Sequence, residues 1–289
     1  MASLKKYSTP RAFRNALETR LQNIAKNEKM DLQRLRRMVA FDRLLARLVV
    51  NNQMQWVLKG GYAMELRIKR ARATKDIDLT IEHYPWELFP NDSLKDIMRE
   101  ELQKDVCKEM GDNFVFLVGL ASMNIDAAPY GGARYPIDAK LDGRTFVKFH
   151  VDIGVGDEMI EPIETITTRD WLGFAGIKPP FVKLLSKEQQ FSEKLHAYTL
   201  PDRSTTNSRV KDLVDMVLLI KHGNLEPKKV QLSLNATFVK RKTHQLPKIL
   251  NLPPSQWKPI FEKLAMSCAL NENIEDAFYM LKVFYSECL

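Results

Sequence analysis

The sharpest periodicity in the chain is the run DIDLTIE at residues 76–82. Ile77, Leu79 and Ile81 fall on one side of an extended segment, and Asp76, Asp78 and Thr80 fall on the other. A strand with one buried face and one acidic face is the simplest structure for such a run. ARYPIDAKLDGRTFVKFHVDIG alternates in the same way on both sides of Asp142-Gly143, a strong signal for a two-residue hairpin turn. In its second arm Val147, Phe149, Val151 and Ile153 share one face, and Lys148, His150 and Asp152 share the other. FVFLVGLASMNI (114–125) reads as a further strand. WVLK (56–59) reads as a short one that stops at Gly60-Gly61.

Helical spacing dominates elsewhere. Thr9-Pro10 is a helix start, with Thr as N-cap and Pro in the first turn; Leu17, Leu21 and Ile24 then recur at helical intervals. Leu32 to Val50 predicts a second helix, YAMELRIKRA a third, and residues 92–110 a charged fourth. Ser186 to Gln189 forms a capping box before a helix through Ala197. A polar loop, PDRSTTNS (201–208), separates it from the amphipathic RVKDLVDMVLLIK, and the remainder is helical with loops at NLEPKK and NLPPSQW. The change of character beyond Pro179-Pro180 puts a mixed α/β part before a boundary near residue 175 and an all-helical part after it. The expected fold is α+β: N-terminal helices over 1–55 packing on a core of mixed sheet and flanking helices over 56–175, then a C-terminal helical domain over 176–289.

Composition narrows the function classes. The 289 residues are 45% hydrophobic, enough for a packed core and too many for a disordered chain. The net charge of +8 favours acidic partners, nucleic acid above all. It is concentrated: residues 1–50 hold twelve Lys/Arg against four Asp/Glu, and residues 226–260 hold seven against one. Cys107, Cys268 and Cys288 lie too far apart for a zinc motif or a disulfide framework, which fits a reducing compartment. MASLKKYSTPRAF has no apolar signal region, and runs such as LLARLVV are too short to span a bilayer. A cytoplasmic protein with no membrane partner is expected.

The acidic strand is the candidate chemistry. Two aspartates at i and i+2 on a strand point the same way and repel each other unless a cation sits between them. Mg²⁺ takes oxygen ligands, usually one or two carboxylates plus substrate phosphates; Mn²⁺ would serve the same donors. Asp152, on the polar face of another strand, would supply a third carboxylate, a set able to hold two metals about 3.5–4 Å apart. Gly60-Gly61, between a strand and a helix, lets backbone N–H groups approach a phosphate at the positive end of the helix. One end of LKGGYAMELRIKRARATKDIDLTIE would cradle a polyphosphate and the other would hold the metal that neutralises it.

The ordered set of LKGGYAMEL, the Arg72–Leu79 run RATKDIDL, the Phe149–Asp152 run FHVD, SKEQQFSEKLHAYT and SRVKDLVDMVLL resembles the nucleotidyltransferase superfamily built on the DNA polymerase β-like fold. Within it the resemblance is to the AbiEii/AbiGii toxin family, which includes the MenT-type toxins, over about residues 56 to 220. Two departures stand out: the fourteen residues between Gly61 and Asp76 are a long gap, and Thr74 stands where the family often has Ser. The resemblance implies that Asp76 and Asp78 bind metal, with Asp152 as third carboxylate. It implies that Lys194 contacts nucleotide phosphates and that Asp212 is an essential acid, either orienting Lys194 or taking part in proton transfer. Gly60, Gly61, Thr74 and Arg209 complete the expected nucleotide-binding set. It further implies an NTP substrate, the 3′ end of tRNA as acceptor, blocked aminoacylation and translation, and a cognate antitoxin. The basic N-terminal helices and the 226–260 segment are the candidate tRNA surface. NMP transfer to a protein hydroxyl, and a non-catalytic fold that binds RNA or a partner, are the alternatives.

Overall fold

The computed structural model describes residues 7–50, 55–81, 91–125, 128–201 and 209–289. Most of the expected 201–208 loop, Glu82, and Lys5 and Lys6 of the basic N-terminus lie outside these. Two compact units emerge: one of residues 1–58, 75–156 and 165–184, the other of 59–74, 157–164 and 185–289.

The first unit is built on a mixed sheet. Its elements are α1 (Pro10–Glu28), α2 (Leu32–Leu48), β1 (Trp56–Lys59), then, after α3 (Gly60–Arg67) of the other unit, β2 (Asp76–Ile81), α4 (Asn91–Val106), β3 (Phe114–Val118), β4 (Met123–Asn124), β5 (Gly132–Leu141), β6 (Arg144–Gly154), β7 (Glu164–Thr167) and β8 (Phe181–Leu184). The strand order is β3-β5-β6-β2-β1-β8-β7, with β4 on β5. Thr9 caps α1 by accepting from the Ala12 amide at 3.1 Å, and Phe13, Leu17 and Leu21 form its buried stripe. Asp31 caps α2 by accepting from the Arg34 amide at 2.7 Å.

The β5–β6 hairpin sets the register of the site. Asp142 and Gly143 both have positive φ (56° and 68°), the geometry of a tight hairpin turn. A bulge between Ala139 and Lys140 then shifts the pairing by one residue, so Tyr135 faces Val151 and Arg134 faces Asp152. Without that extra residue the buried arm of β5 would oppose the polar arm of β6, because a one-residue slip exchanges the two faces. β2 runs parallel to β6, with Asp76 beside His150 and Asp78 beside Asp152.

Several N-terminal arginines expected on an RNA surface are spent inside this unit. Arg43 and Arg47 both bind the buried Asp112, at 2.6 and 2.7 Å. Arg36 pairs with Glu18 at 2.7 Å, and Arg14 donates to the Leu141 carbonyl at 2.7 Å.

The second unit is helical: α3, α5 (Lys187–Thr199), α6 (Val210–His222), α7 (Pro227–Arg241), α8 (Lys258–Ser267) and α9 (Ile274–Glu287). Ser186 caps α5 through the Gln189 amide, as its capping box predicts. α6 is its centre; Leu213, Val214 and Met216 to Leu219 have no exposed surface. A helix apolar over so much of its circumference has to be enclosed by its neighbours.

Two features depart from the sequence expectation. Met64, Ile68 and Ala71 bury in the helical core, so residues 59–74 cluster with the C-terminal helices rather than with the sheet. The all-helical character expected beyond Pro180 is interrupted at once by β8, which pairs parallel with β1 at Leu58–Leu184. Among the described residues no helix is long and apolar enough to cross a membrane.

Candidate active site

The candidate residues form two clusters, one in each unit. In the first unit three adjacent strands present Arg134, Asp152 and Asp78 side by side, with Asp76 and His150 one step along. The sequence pattern explains the arrangement: Ile77, Leu79, Val151 and Ile153 bury fully, which turns the intervening aspartates to the opposite face.

Arg134 is the member that pattern reading missed. Its guanidinium grips Asp152 with two hydrogen bonds, 2.7 and 2.6 Å, and reaches Asp76 Oδ2 at 3.6 Å. The hydrogen bonds to Asp152, with the charges of Asp152, Asp76 and Asp78, hold Arg134 still more firmly protonated than an ordinary arginine. His150 Nδ1 lies 3.3 Å from Asp76 Oδ1.

This geometry bears on the expected metal. Asp76 and Asp78 offer half-exposed oxygen donors from one strand face, which fits a Mg²⁺ that completes its shell with water and substrate phosphates. Asp152 is otherwise engaged, because a bidentate arginine already takes both of its oxygens. Among the described residues no group of three or more His, Cys, Asp or Glu forms a cage for a metal. The donor set therefore suits one carboxylate-held cation better than a three-carboxylate pair of metals.

In the second unit the glycine turn, Thr74 and the two helical motifs converge. Gly60 has φ 65°, the left-handed region that favours glycine. Gln190 donates to its carbonyl at 2.6 Å. A Cβ on Gly61 would stand 2.6 Å from Thr74 Oγ1 and 2.9 Å from Thr74 Cβ, so only glycine admits the Thr74 side chain here. α3 starts at Gly60, its N-cap residue Lys59 makes no side-chain cap bond, and a helix N-terminus carries the partial positive charge that favours an anion.

Lys194 is held at 2.7 Å by Asp215 and at 3.4 Å by Asp212. Asp215, with no exposed surface, is also clasped by Arg72 at 2.9 to 3.2 Å. Arg209 reaches Asp212 at 3.1 Å. Lys194, Asp212 and Arg209 are thus brought into one network with Arg72 and Asp215, and the Gly61–Thr74 contact lies beside it, a Cβ on Gly61 falling 3.7 Å from Arg72 Nη1. Burial pushes the Asp215 carboxyl up, but Lys194 and Arg72 outweigh it and hold it below the usual carboxylate range. Burial pulls Lys194 down, but Asp215 and Asp212 outweigh it and keep the ammonium charged.

A second buried network flanks this one. Lys59 donates to Asp157, Arg241 binds Asp157 at 3.0 Å and Glu193 at 3.2 Å, and Lys59 lies 3.8 Å from Glu193. Burial raises Glu193 above the usual carboxylate range. The quartet fixes the residue just before Gly60 and the residue just before Lys194. His196 is a packed neighbour, buried beside Phe238 and bonded to Thr243 at 2.7 Å.

Comparison with known proteins bears on the family and the fold. The family model described as Nucleotidyl transferase AbiEii toxin, Type IV TA system, matches residues 43–277. No curated protein matches the chain in sequence. Among solved structures, the MenT4 nucleotidyltransferase toxin from Mycobacterium tuberculosis superposes with a TM-score of 0.58 at 14% identity, over 92% of this chain and 93% of that one. JHP933 from Helicobacter pylori matches with a TM-score of 0.44 at 14% identity, over 89% and 93%.

Proposed function

The chain belongs to the AbiEii family of nucleotidyltransferase toxins from type IV toxin–antitoxin systems, and from that membership and the site geometry we propose that it transfers NMP from an NTP to the 3′ end of tRNA, blocking aminoacylation and translation. The observation that supports this most strongly is the network of Thr74, Arg72, Asp215, Lys194 and Asp212 at the Gly60-Gly61 turn. Residues from three distant stretches meet where a polyphosphate has a left-handed glycine, a helix N-terminus and a charged lysine.

In this reading the amides at the start of α3 and the Lys194 ammonium take the triphosphate. Asp215 and Asp212 aim Lys194, and Arg72 shares the Asp215 charge, so the lysine is held without being neutralised. Asp76 and Asp78 are the residues that would hold a divalent cation, Mg²⁺ by preference with Mn²⁺ as substitute, and that cation would supply neutralisation of phosphate charge. Asp152 seats Arg134, a fixed cation beside the two aspartates that needs no reorganisation during reaction. The acceptor hydroxyl oxygen bonds to the α-phosphorus, the bond to the pyrophosphate bridging oxygen breaks, and the hydroxyl proton passes to water. Positioning and charge supply the rate, with no covalent enzyme intermediate. An antitoxin restrains the activity in the cytoplasm.

The test is label transfer. Purified protein is incubated with total tRNA, Mg²⁺ and each α-labelled NTP in turn, beside Asp78→Ala. Label on tRNA from one NTP, absent with Asp78→Ala, is expected. Label on a polypeptide would replace the acceptor, and label that persists in Asp78→Ala would remove the site.

A further inference from the structure

The first unit has a cleft of about 710 Å³ along the polar face of its hairpin, with Asp76 among its lining residues. That volume lies within the roughly 300–1,000 Å³ usual for small-ligand sites. Four cations line it, Arg37, Lys75, Arg134 and Lys148, against the carboxylates of Asp76 and Asp138. Arg134 is engaged by Asp152, but Arg37, Lys75 and Lys148 form no ion pair among the described residues.

Two buried atoms here are unpartnered: Arg37 Nε, a donor, and Asp138 Oδ1, an acceptor. Buried polar atoms are rarely left so unless something else satisfies them. Part of the lining is apolar: Leu117 is 44% exposed, and Pro136 packs against Gly119, whose missing Cβ would lie 2.7 Å from the proline ring.

We propose that this cleft seats the terminal nucleotides of a single-stranded RNA acceptor, with backbone phosphates on Arg37 and Lys148 and a base on the Leu117–Pro136 wall. The inference rests on the transfer reading above and adds the acceptor's binding face to it. Asp138 separates a nucleotide from a simple polyanion: its carboxylate lines the cleft and would repel phosphate but accept from a base amino group or a ribose hydroxyl. The cations come from three separate elements: Arg37 from α2, Lys75 from the residue before β2 and Lys148 from β6. That suits a strand with one charge per nucleotide better than a triphosphate. A strand whose terminal hydroxyl lies at Asp76 would run along this surface.

The experiment is fluorescence anisotropy of the full chain with a 5′-labelled, single-stranded RNA octamer, without NTP or divalent cation, across a salt series. Arg37→Ala with Lys148→Ala should weaken binding at least tenfold. It should also flatten the dependence of log K on log salt by about 1.4, since each lost phosphate contact contributes about 0.7. A fluorescent NTP analogue should bind the variant within twofold of wild type. Lys148→Glu, at an exposed position, keeps the test alive if the double variant does not fold. Unchanged octamer affinity, no octamer binding by wild type, or weakened NTP-analogue binding in its place would each overturn the proposal. Labelled tRNA with unchanged octamer binding refutes the cleft alone; labelled protein in place of tRNA refutes the transfer reading.

Discussion

Replacing Asp215 by Asn isolates the best-buried charge of the Lys194 network. Asp215 has no exposed surface, its partners Lys194 and Arg72 have side chains 9% and 15% exposed, and the contacts are 2.7 and 2.9 Å. The amide keeps the shape and removes the counter-charge from two buried cations. Breaking a buried ion pair by removing one partner costs about 3–5 kcal/mol. At about 2–4 °C per kcal/mol for a chain of this order of size, the melting temperature should fall by roughly 6–20 °C. Urea unfolding followed by circular dichroism at pH 7 reads the change directly. Adding Lys194→Met should return at least about 1 kcal/mol, because a paired loss of charge is tolerated better than a single one. The pH dependence has a definite sign. The Asp215 carboxyl is depressed in the fold, so its contribution is complete above its unfolded value of about 3.9 and is lost as the pH falls toward the folded value. The gap between wild type and Asp215→Asn should be constant from pH 7 to about 5 and close below 4. A variant within 1 kcal/mol of wild type at pH 7, or a gap that widens in acid, would refute the argument.

Lys194→Met should lower label transfer about 10²–10³-fold, the usual loss for one fixed charge-stabilising donor, measured at saturating NTP. Gly61→Ala should raise the KM for NTP and destabilise by about 1–3 kcal/mol, because its Cβ collides with Thr74; adding Thr74→Gly should recover much of the loss in a thermal melt. Arg134→Ala should lower kcat about 10-fold or more while reducing the Mg²⁺ concentration for half-maximal rate, because a competing cation leaves Asp152 and Asp76; a magnesium titration of the initial rate checks both. Chelation of divalent cations should abolish transfer, and Mn²⁺ should restore it.

The sequence made the strands of the site legible and hid how they are wired. Strict alternation in DIDLTIE and in both arms around Asp142-Gly143 pointed to strands with apolar and acidic faces, and the fold has them. The hairpin's bulge was invisible locally. Counting back from the turn alone places Asp152 opposite Ala133, and the extra residue is what delivers Arg134 to it. Arg72 and Asp215 escaped for a different reason: a carboxylate and a guanidinium 143 positions apart meet only through tertiary packing. The allegiance of residues 59–74 was equally hidden, because Met64, Ile68 and Ala71 fit a helix on a sheet as well as one in a bundle. β8 is four residues long and next to two prolines, too short for periodicity to separate from a loop.

The central claim is a transfer to the 3′ end of tRNA that runs through the paired aspartates. The most direct measurement uses α-labelled NTP with intact tRNA and with tRNA whose terminal ribose has been opened by periodate, each with wild type and with Asp78→Ala. The account predicts label only on intact tRNA and only with wild type. Label on the oxidised tRNA, on protein, or in the Asp78→Ala reaction at the wild-type rate would contradict it.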